Sequence, residues 1–292
     1  MAAMRDLGDR VAVVTGGGSG IGRGICLAAA EQGMHVLVAD IEGDAAEETA
    51  GLVREHGVRS QGAAADVSDP ASVDALADTA YAEFGAVDVL FNNAGVLVFG
   101  PTAEMPASDL DWMLAVNLYG VLNGVQVFVP RMREQEPDED GTRAQIVNTS
   151  SMSGLVAGRG GGNLGGYVAS KFAVAGLTES LRLELAPEGI DVTLFCPGAT
   201  HTRIGEAQRN RQEAFGPARE VPEPIIAQRA APRDPSRSPD ARRDPLVVGR
   251  AVLEGVRERR AYILTHTETR PVVARRFEHI DEGYDQAERS AG

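Results

Sequence analysis

Residues 11–22 read VAVVTGGGSGIG. The first five are apolar or β-branched, the kind of short run that lies buried on both faces of a parallel sheet. Glycines follow at once, and GIGRGICLAAAEQG continues as a helical pattern stopped by Gly33. Strand, glycine turn and helix in that order form the context of a phosphate-binding turn, because the first N–H groups of the helix face whatever the turn encloses. Gly16 lets the chain turn tightly, Gly20 lets backbone approach a pyrophosphate, and Gly22 lets the helix pack close to the sheet, with Ser19 and Ile21 between them.

Outward from this stretch, similar apolar runs recur at HVLVA (35–39), VDVLF (87–91), QIVNTS (145–150), DVTLF (191–195) and AYILT (261–265), and a further strand ends at Asp66 and Val67. Helical patterns separate them, among them DPASVDALADTAYAEFG, ended by Gly85, and the long SDLDWMLAVNLYGVLNGVQVFVPRM. Asp69, Ser108 and Asp109 read as N-terminal caps. The alternation predicts an α/β chain: a Rossmann-type, doubly wound parallel sheet of six to seven strands flanked by helices, in a single domain over residues 1–292. Two segments depart from it. Residues 201–246 are rich in arginine and proline with weak periodicity and read as a lid over a site or a mobile segment, with the arginines on a solvated or oligomer-facing surface rather than at an anion site. The polar tail 283–292 reads as frayed.

The net charge of −14 argues against nucleic acid and anionic membranes, because an acidic field repels phosphate. No apolar run approaches the roughly 20 residues that span a bilayer, and MAAMRDLGDR leads straight into a strand. Cys26 and Cys196 lack metal-ligand spacing and the five histidines are scattered, so no metal site and no metal-dependent hydrolysis is expected. The expectation is a cytoplasmic protein with a small-molecule partner.

Asp40 ends the second strand, where a carboxylate accepts hydrogen bonds from both hydroxyls of an adenosine ribose. A 2′-phosphate there would bring about two more negative charges close to it, a cost of several kcal/mol even at an effective dielectric near 20. Neither Ser19 nor Ile41 is basic, so the position favours NAD over NADP. Asp66 and Val67 are placed to flank the adenine. In NNAG (92–95), Ala94 and Gly95 leave room for a ribose beside Asn93, while Asn92 reads equally as a stitch between strands or as a ligand contact.

YVASK (167–171) holds the one lysine among 28 lysine and arginine residues. Hydride transfer at a secondary carbon needs a group that loses and regains a proton, and Tyr167 suits it. Bringing a phenol from about 10 to near 7 takes roughly 4 kcal/mol of preferential stabilisation of the phenolate. Lys171 lies one helical turn on, on the same face. Arginine replaces it poorly, because a planar fork does not mimic a compact ammonium that touches ribose hydroxyls and passes protons. IVNTSS offers Ser150, Ser151 and nearby Ser153, one of which polarises a substrate oxygen. Asn117, polar within an apolar helix, reads as the holder of a kink and of a water leading from Lys171, or as an ordinary core amide.

With TGxxxGIG, NNAG, an internal asparagine, a serine pair and YxxxK in order, the chain resembles the short-chain dehydrogenase/reductase family. The resemblance implies an NAD(P)-dependent oxidoreductase, usually tetrameric, whose catalytic set maps onto Asn117, Ser151, Tyr167 and Lys171. CPGATHT (196–202) looks like the family's PG segment, which places Pro197 and Gly198 beside the nicotinamide and Thr200 or Thr202 near its carboxamide. The gap from Ser151 to Tyr167 is longer than relatives commonly have. The surplus lies in GRGGGNLGG (158–166), a glycine bulge, with Ser153 as the reserve for Ser151. FGP followed by the long helix is similar to enzymes that oxidise benzylic secondary alcohols, including Cα-dehydrogenases of lignin-type β-aryl ethers. The substrate pocket is then expected from Leu97, Phe99, Ser153, His201, the bulge and the lid. The expected protein is an NAD-dependent dehydrogenase of a bulky aromatic or cyclic secondary alcohol, or of the matching ketone in reverse, working as a homo-oligomer (tetramer or dimer). The rival readings are an NADPH-type ketoreductase of the same fold and a non-catalytic NAD-sensing protein.

Overall fold

A computed structural model describes residues 6–157, 163–218 and 242–291. Seven strands, β1 Val11–Thr15, β2 His35–Asp40, β3 Ser60–Ala64, β4 Val89–Asn92, β5 Ala144–Thr149, β6 Ile190–Cys196 and β7 Tyr262–Leu264, form one sheet in the order β3-β2-β1-β4-β5-β6-β7. Every pairing is parallel. The third strand stops two residues before Asp66, which lies in the turn beyond it.

Successive residues of one strand serve opposite layers, as a doubly covered sheet requires. Val13, Leu37, Leu90 and Ile146 pack under α3 (Pro70–Phe84), α5 (Gly120–Arg133) and α6 (Gly165–Leu185). Ala12, Val14, Val36, Val38 and Phe91 pack under α1 (Gly20–Glu31), α2 (Gly43–Arg54) and α7 (Pro245–Arg257). At about 1.5–3 kcal/mol for each large side chain taken fully from water, these two layers hold the strand ends in place. The chain leaves β1 toward β2 and later returns to lay β4 on its other side, so a crevice opens at the carboxyl ends of β1 and β4.

Asp69 caps α3 as expected, accepting from the Ala71 N–H, and Gly85 ends it. Ser108 and Asp109 are not caps. Helix α4 (Ala107–Leu114) starts from Pro106, so both lie inside its first turn, where the Asp109 carboxylate is drawn into a buried ion pair with Arg211. The long helical stretch is broken by a π-turn, Ala115–Tyr119, centred on Asn117. The stretch Ala107–Arg133 is long and apolar enough to cross a bilayer, yet 61% of its apolar window is buried inside the protein, with Trp112, Met113 and Phe128 in the core. The tail is not frayed: it ends in α8, Arg270–Ala291. Residues 158–162 of the glycine bulge and 219–241 of the lid lie outside the described residues.

Candidate active site

The glycine turn forms the floor of the crevice. Gly16 has φ +65°, and a Cβ there would sit 2.8 Å from the Ala94 Cα. A Cβ on Gly22 would lie 2.0 Å from the Gly16 carbonyl oxygen, so only glycine closes the turn against the helix. Asn93 locks the arrangement from β4: its Nδ2 donates to the Thr15 carbonyl (3.0 Å), and the Thr15 Oγ1 accepts from the N–H of Asn93 (3.0 Å) and of Ala94 (3.2 Å). Asn92 takes the structural role, donating to Asn148 Oδ1 across to β5 (2.9 Å).

Asp40 is buried at the end of β2 and does two jobs. Its Oδ2 accepts from the Gly18 N–H (2.9 Å) and its Oδ1 from the Glu42 N–H (3.0 Å), so it holds both the glycine turn and the start of α2 while facing the crevice. Each oxygen keeps a lone pair for a ribose hydroxyl. Asp66 Oδ1 accepts from the Ser68 N–H and hydroxyl (2.9 and 2.6 Å), fixing the carboxylate beside Val67 at the adenine end.

At the other end, Tyr167 and Lys171 both face the crevice, as their placement one turn apart on α6 requires. The Lys171 Nζ stands 5.8 Å from the centroid of the Tyr167 ring and donates to the Thr149 carbonyl (2.9 Å). Burial lowers the Lys171 ammonium to about 8. Burial also raises the Tyr167 phenol to about 12, opposed by a hydrogen bond with the Ser151 side chain. The Ser151 Oγ also accepts from the Ser153 N–H (3.0 Å). Ser150 is occupied elsewhere, donating to the Lys171 carbonyl (2.7 Å).

Asn117 is fully buried. Its Oδ1 accepts from the Val96 N–H (2.8 Å), and its Nδ2 donates to the Val96 carbonyl and Ser170 Oγ (both 3.0 Å). It therefore fastens the π-turn to the loop after β4. A Cβ on Gly95 would lie 3.3 Å from Asn117 Oδ1 and 3.4 Å from Lys171 Nζ, which places amide and ammonium around the same small space.

Pro197 and Thr202 line the crevice as expected, but Gly198 and Thr200 stand back from it, and Thr200 Oγ1 donates to the Gly198 carbonyl (3.3 Å). His201 is exposed beside Arg23 and Pro245, in a shallow depression separate from Tyr167. Leu97 is buried in the core and Phe99 packs against the same cluster; Val96, Val116, Ile204 and Ala207 are among the apolar residues that face the crevice.

The lid was read only as a segment, and its described part supplies what the sequence did not reveal. Arg209 donates to Glu42 Oε2 (2.9 Å), as does Asn210 Nδ2 (3.2 Å). Gln212 bridges two partners, accepting from Trp112 Nε1 (2.7 Å) and donating to Asp66 Oδ2 (2.8 Å). The Arg211 guanidinium enters the protein to meet Asp109 at 2.6 Å. Glu42 is held below the usual carboxylate range by the Arg209 hydrogen bond above all. His266 is also absent from the sequence reading: it is buried, its Nδ1 accepts from the Gly198 N–H (3.0 Å), and its Nε2 faces the Ala199 carbonyl (2.8 Å). Those partners assign the hydrogen to Nε2, and the ring anchors the PG segment. No sequence spacing announces contacts between residues so far apart.

The crevice measures about 1030 Å³ when its open mouth is counted. Among the described residues, no group of three or more His, Cys, Asp or Glu is placed to hold a metal ion. The glycine cradle, the strand-end carboxylate and the free lone pairs fit a dinucleotide, so fold and site define a Rossmann-type nucleotide-binding oxidoreductase. The chain matches the short chain dehydrogenase family over residues 10–213 and belongs to it. It is similar to the crystal structure of a short-chain dehydrogenase/reductase from Burkholderia phymatum in complex with NAD, at 37% identity and a TM-score of 0.83 over 96% of this chain and 97% of that one. A Cα-dehydrogenase from Sphingobium sp. is 33% identical over 95% of this chain and 87% of that protein. A 3β-hydroxysteroid dehydrogenase from Eggerthella lenta is 38% identical over 71% of this chain and 77% of that protein.

Proposed function

We propose that the protein is an NAD-dependent dehydrogenase of secondary alcohols, acting on a bulky aromatic or cyclic substrate. The observation that carries this is the meeting, in one crevice, of a glycine turn, a carboxylate at the end of β2 and a buried Tyr167–Lys171 pair with Ser151 on the phenol. Asp40 binds the adenosine ribose, Gly16, Ser19, Gly20, Ile21 and Gly22 cradle the pyrophosphate, and Asp66 with Val67 borders the adenine. Asn93, Ala94, Gly95, Pro197 and Thr202 flank the rest of the cofactor. When bound, NAD supplies the hydride acceptor and a positive charge.

Tyr167 takes the alcohol proton. Burial outweighs the Ser151 hydrogen bond and holds its phenol near 12, so the neighbouring ammonium of Lys171 and the positive charge of bound NAD must favour the phenolate. Ser151 also orients the substrate oxygen, Lys171 holds the nicotinamide ribose, and Asn117 positions the loop and π-turn around Lys171. The apolar surface of Val96, Val116, Ile204 and Ala207 favours a bulky carbon skeleton. The names of the Cα-dehydrogenase and hydroxysteroid dehydrogenase relatives support the same class of alcohol. Cys26 and Cys196 are free and buried, which suits the reducing cytoplasm, and a homo-oligomer is part of the reading.

One observation favours the NADP alternative. Arg203 and Arg209 of the lid reach the adenosine end of the crevice, where neighbours in sequence supply no base. Glu42 pairs with both, at 3.9 and 2.9 Å, so their charge is spent and Asp40 decides for NAD.

The test is a panel of benzylic and cyclic secondary alcohols with NAD or NADP, followed at 340 nm. Turnover with NAD is expected, and Tyr167→Phe lowers kcat by about 10²–10⁴-fold with NAD affinity nearly unchanged. Full turnover in that variant overturns the proton-transfer role, and NADP preference overturns the cofactor.

A further inference from the structure

Helix α8 has a face that the other described residues leave bare. Its first turns are docked: Val273 packs against the cluster of Met152, Ala175, Leu194 and Cys196, and the Arg276 guanidinium lies 5.2 Å from the Phe172 ring centroid. Beyond that point the helix leaves the body, and every residue from Phe277 to Ser290 is exposed, including Phe277 (59%), Ile280 (42%) and Tyr284 (68%).

The exposed apolar residues are not scattered. From the docked Val273, the exposed Phe277, Ile280, Tyr284 and Ala287 follow at intervals of four, three, four and three, the stripe of a helix that packs against another helix. A helix of this length in water gains most of its stability from such packing rather than from its own hydrogen bonds.

The charges say what lies on the stripe. Arg270, Arg275 and Arg276 occupy the N-terminal part, and Glu278, Asp281, Glu282, Asp285 and Glu288 follow, with Arg289 the one base in the last turn. This order is the reverse of what the helix dipole favours, which is acid at the N-terminus and base at the C-terminus. The pattern therefore does not serve an isolated helix. It suits a neighbour that brings acid beside the arginines and base beside the acids, with its own dipole opposed. An antiparallel copy of α8 does both, and a two-fold interface meets itself in this way. The five acids make an anionic membrane or a nucleic acid a poor partner.

We propose that α8 is an assembly helix that pairs antiparallel with α8 of a second copy of this chain, about a two-fold axis near Ile280. The pairing covers Phe277, Ile280 and Tyr284 and sets Arg270 and Arg275 of one copy against Asp285 and Glu288 of the other.

The test is the mass of the full-length protein by sedimentation and light scattering across a range of concentrations. Phe277→Glu with Ile280→Glu is expected to halve the assembled mass and leave dinucleotide affinity within twofold, which also certifies that the variant is folded. Reversing Arg270 and Arg275 to Glu is expected to separate the copies, and adding Asp285→Arg and Glu288→Arg to that variant to reunite them. A wild-type monomer, an apolar double variant of unchanged mass, or a charge-reversed protein that the second reversal does not reassemble overturns the proposal. The failed rescue would assign the stripe to a different partner or to the body of the same chain.

Discussion

The two walls of the crevice are built by different means. The sheet wall, with Gly16, Asp40, Asp66 and Asn93, stands on strand ends whose positions are fixed by parallel backbone ladders and two buried layers. The lid wall, residues 204–212, is a short irregular 3₁₀ turn with a kink at Glu206, tied down by the side chains of Arg209, Asn210, Arg211 and Gln212. A wall made of backbone ladders opens only when the domain unfolds. A wall held by a few side-chain contacts opens on its own, with a free energy set by those contacts. In the function proposed above, the first would hold the cofactor in a fixed pose and the second would admit and release ligands.

The largest expected effect breaks the lid wall alone. Arg211 and Asp109 are both almost completely removed from solvent, with side chains 2% and 1% exposed. Removing one member of such a pair costs about 3–5 kcal/mol, because the other charge stays buried without it. Arg211→Ala is therefore expected to release the lid while the sheet wall stays intact. Trp112 is the only tryptophan, and its Nε1 donates to Gln212, so it reports on the event directly. Its emission should move to the red in Arg211→Ala, with far-UV circular dichroism unchanged. An unmoved emission band would mean that the lid is seated by something other than this pair.

The same contrast decides what the sequence reveals. The glycine turn, Asp40, Tyr167 and Lys171 are legible because each depends on local order: a turn after a strand, a strand end, and two residues one helical turn apart. The sheet follows from its alternating runs for the same reason. Gln212, Arg211 and Glu42 were not legible. Their distant partners lie between 100 and 168 positions away, and in the chain they look like ordinary surface polar residues. Asp109 was misread as a cap because capping is a local rule, and the buried guanidinium that outcompetes it comes from the lid. His201 and His266 show the same limit. The motif beside His201 drew attention to it, whereas the fold buries His266 against the PG segment and leaves His201 exposed. A tail that begins at Gly283 hides α8, since three of the five residues of its apolar stripe lie before that residue.

A smaller effect sharpens the account of the sheet wall, where the reactive pair sits. Burial lowers Lys171 from its ordinary 10.5 to about 8 in the folded chain. Below about pH 8 both folded and unfolded chains carry the proton, and the folded one bears the cost of a buried charge. Between about 8 and 10.5 the unfolded chain binds more protons, so this residue makes stability rise with pH and the cost vanishes near 10.5. Lys171→Met carries no such cost at any pH. The variant's stability relative to wild type should fall by about 3 kcal/mol as the pH rises through that window, a shift of two to three pKa units converted at 1.36 kcal/mol each. Denaturant titrations at several pH values measure it, and a constant difference would show that Lys171 is not held in a desolvated place. Tyr167 acts at higher pH and with the opposite sign: its raised phenol costs stability only as the pH climbs from about 10 to about 12.

The smallest effect joins the two walls at the adenosine end. Asp40 comes from the sheet and faces the ribose site, Arg209 comes from the lid, and Glu42 stands between them, accepting from Arg209 at 2.9 Å and from Asn210 at 3.2 Å. Glu42 thus does two things at once, fastening the lid and cancelling the lid's positive charge. Glu42→Ala removes both. The freed guanidinium is then available to a 2′-phosphate, while Asp40 continues to repel it. The ratio of NADP to NAD dissociation constants is expected to fall by about tenfold, the effect of roughly 1.4 kcal/mol between a partly solvated charge pair. Isothermal titration of both dinucleotides measures it without turnover. If the two constants weaken by the same factor, Glu42 only fastens the lid, and cofactor choice belongs to the sheet wall alone.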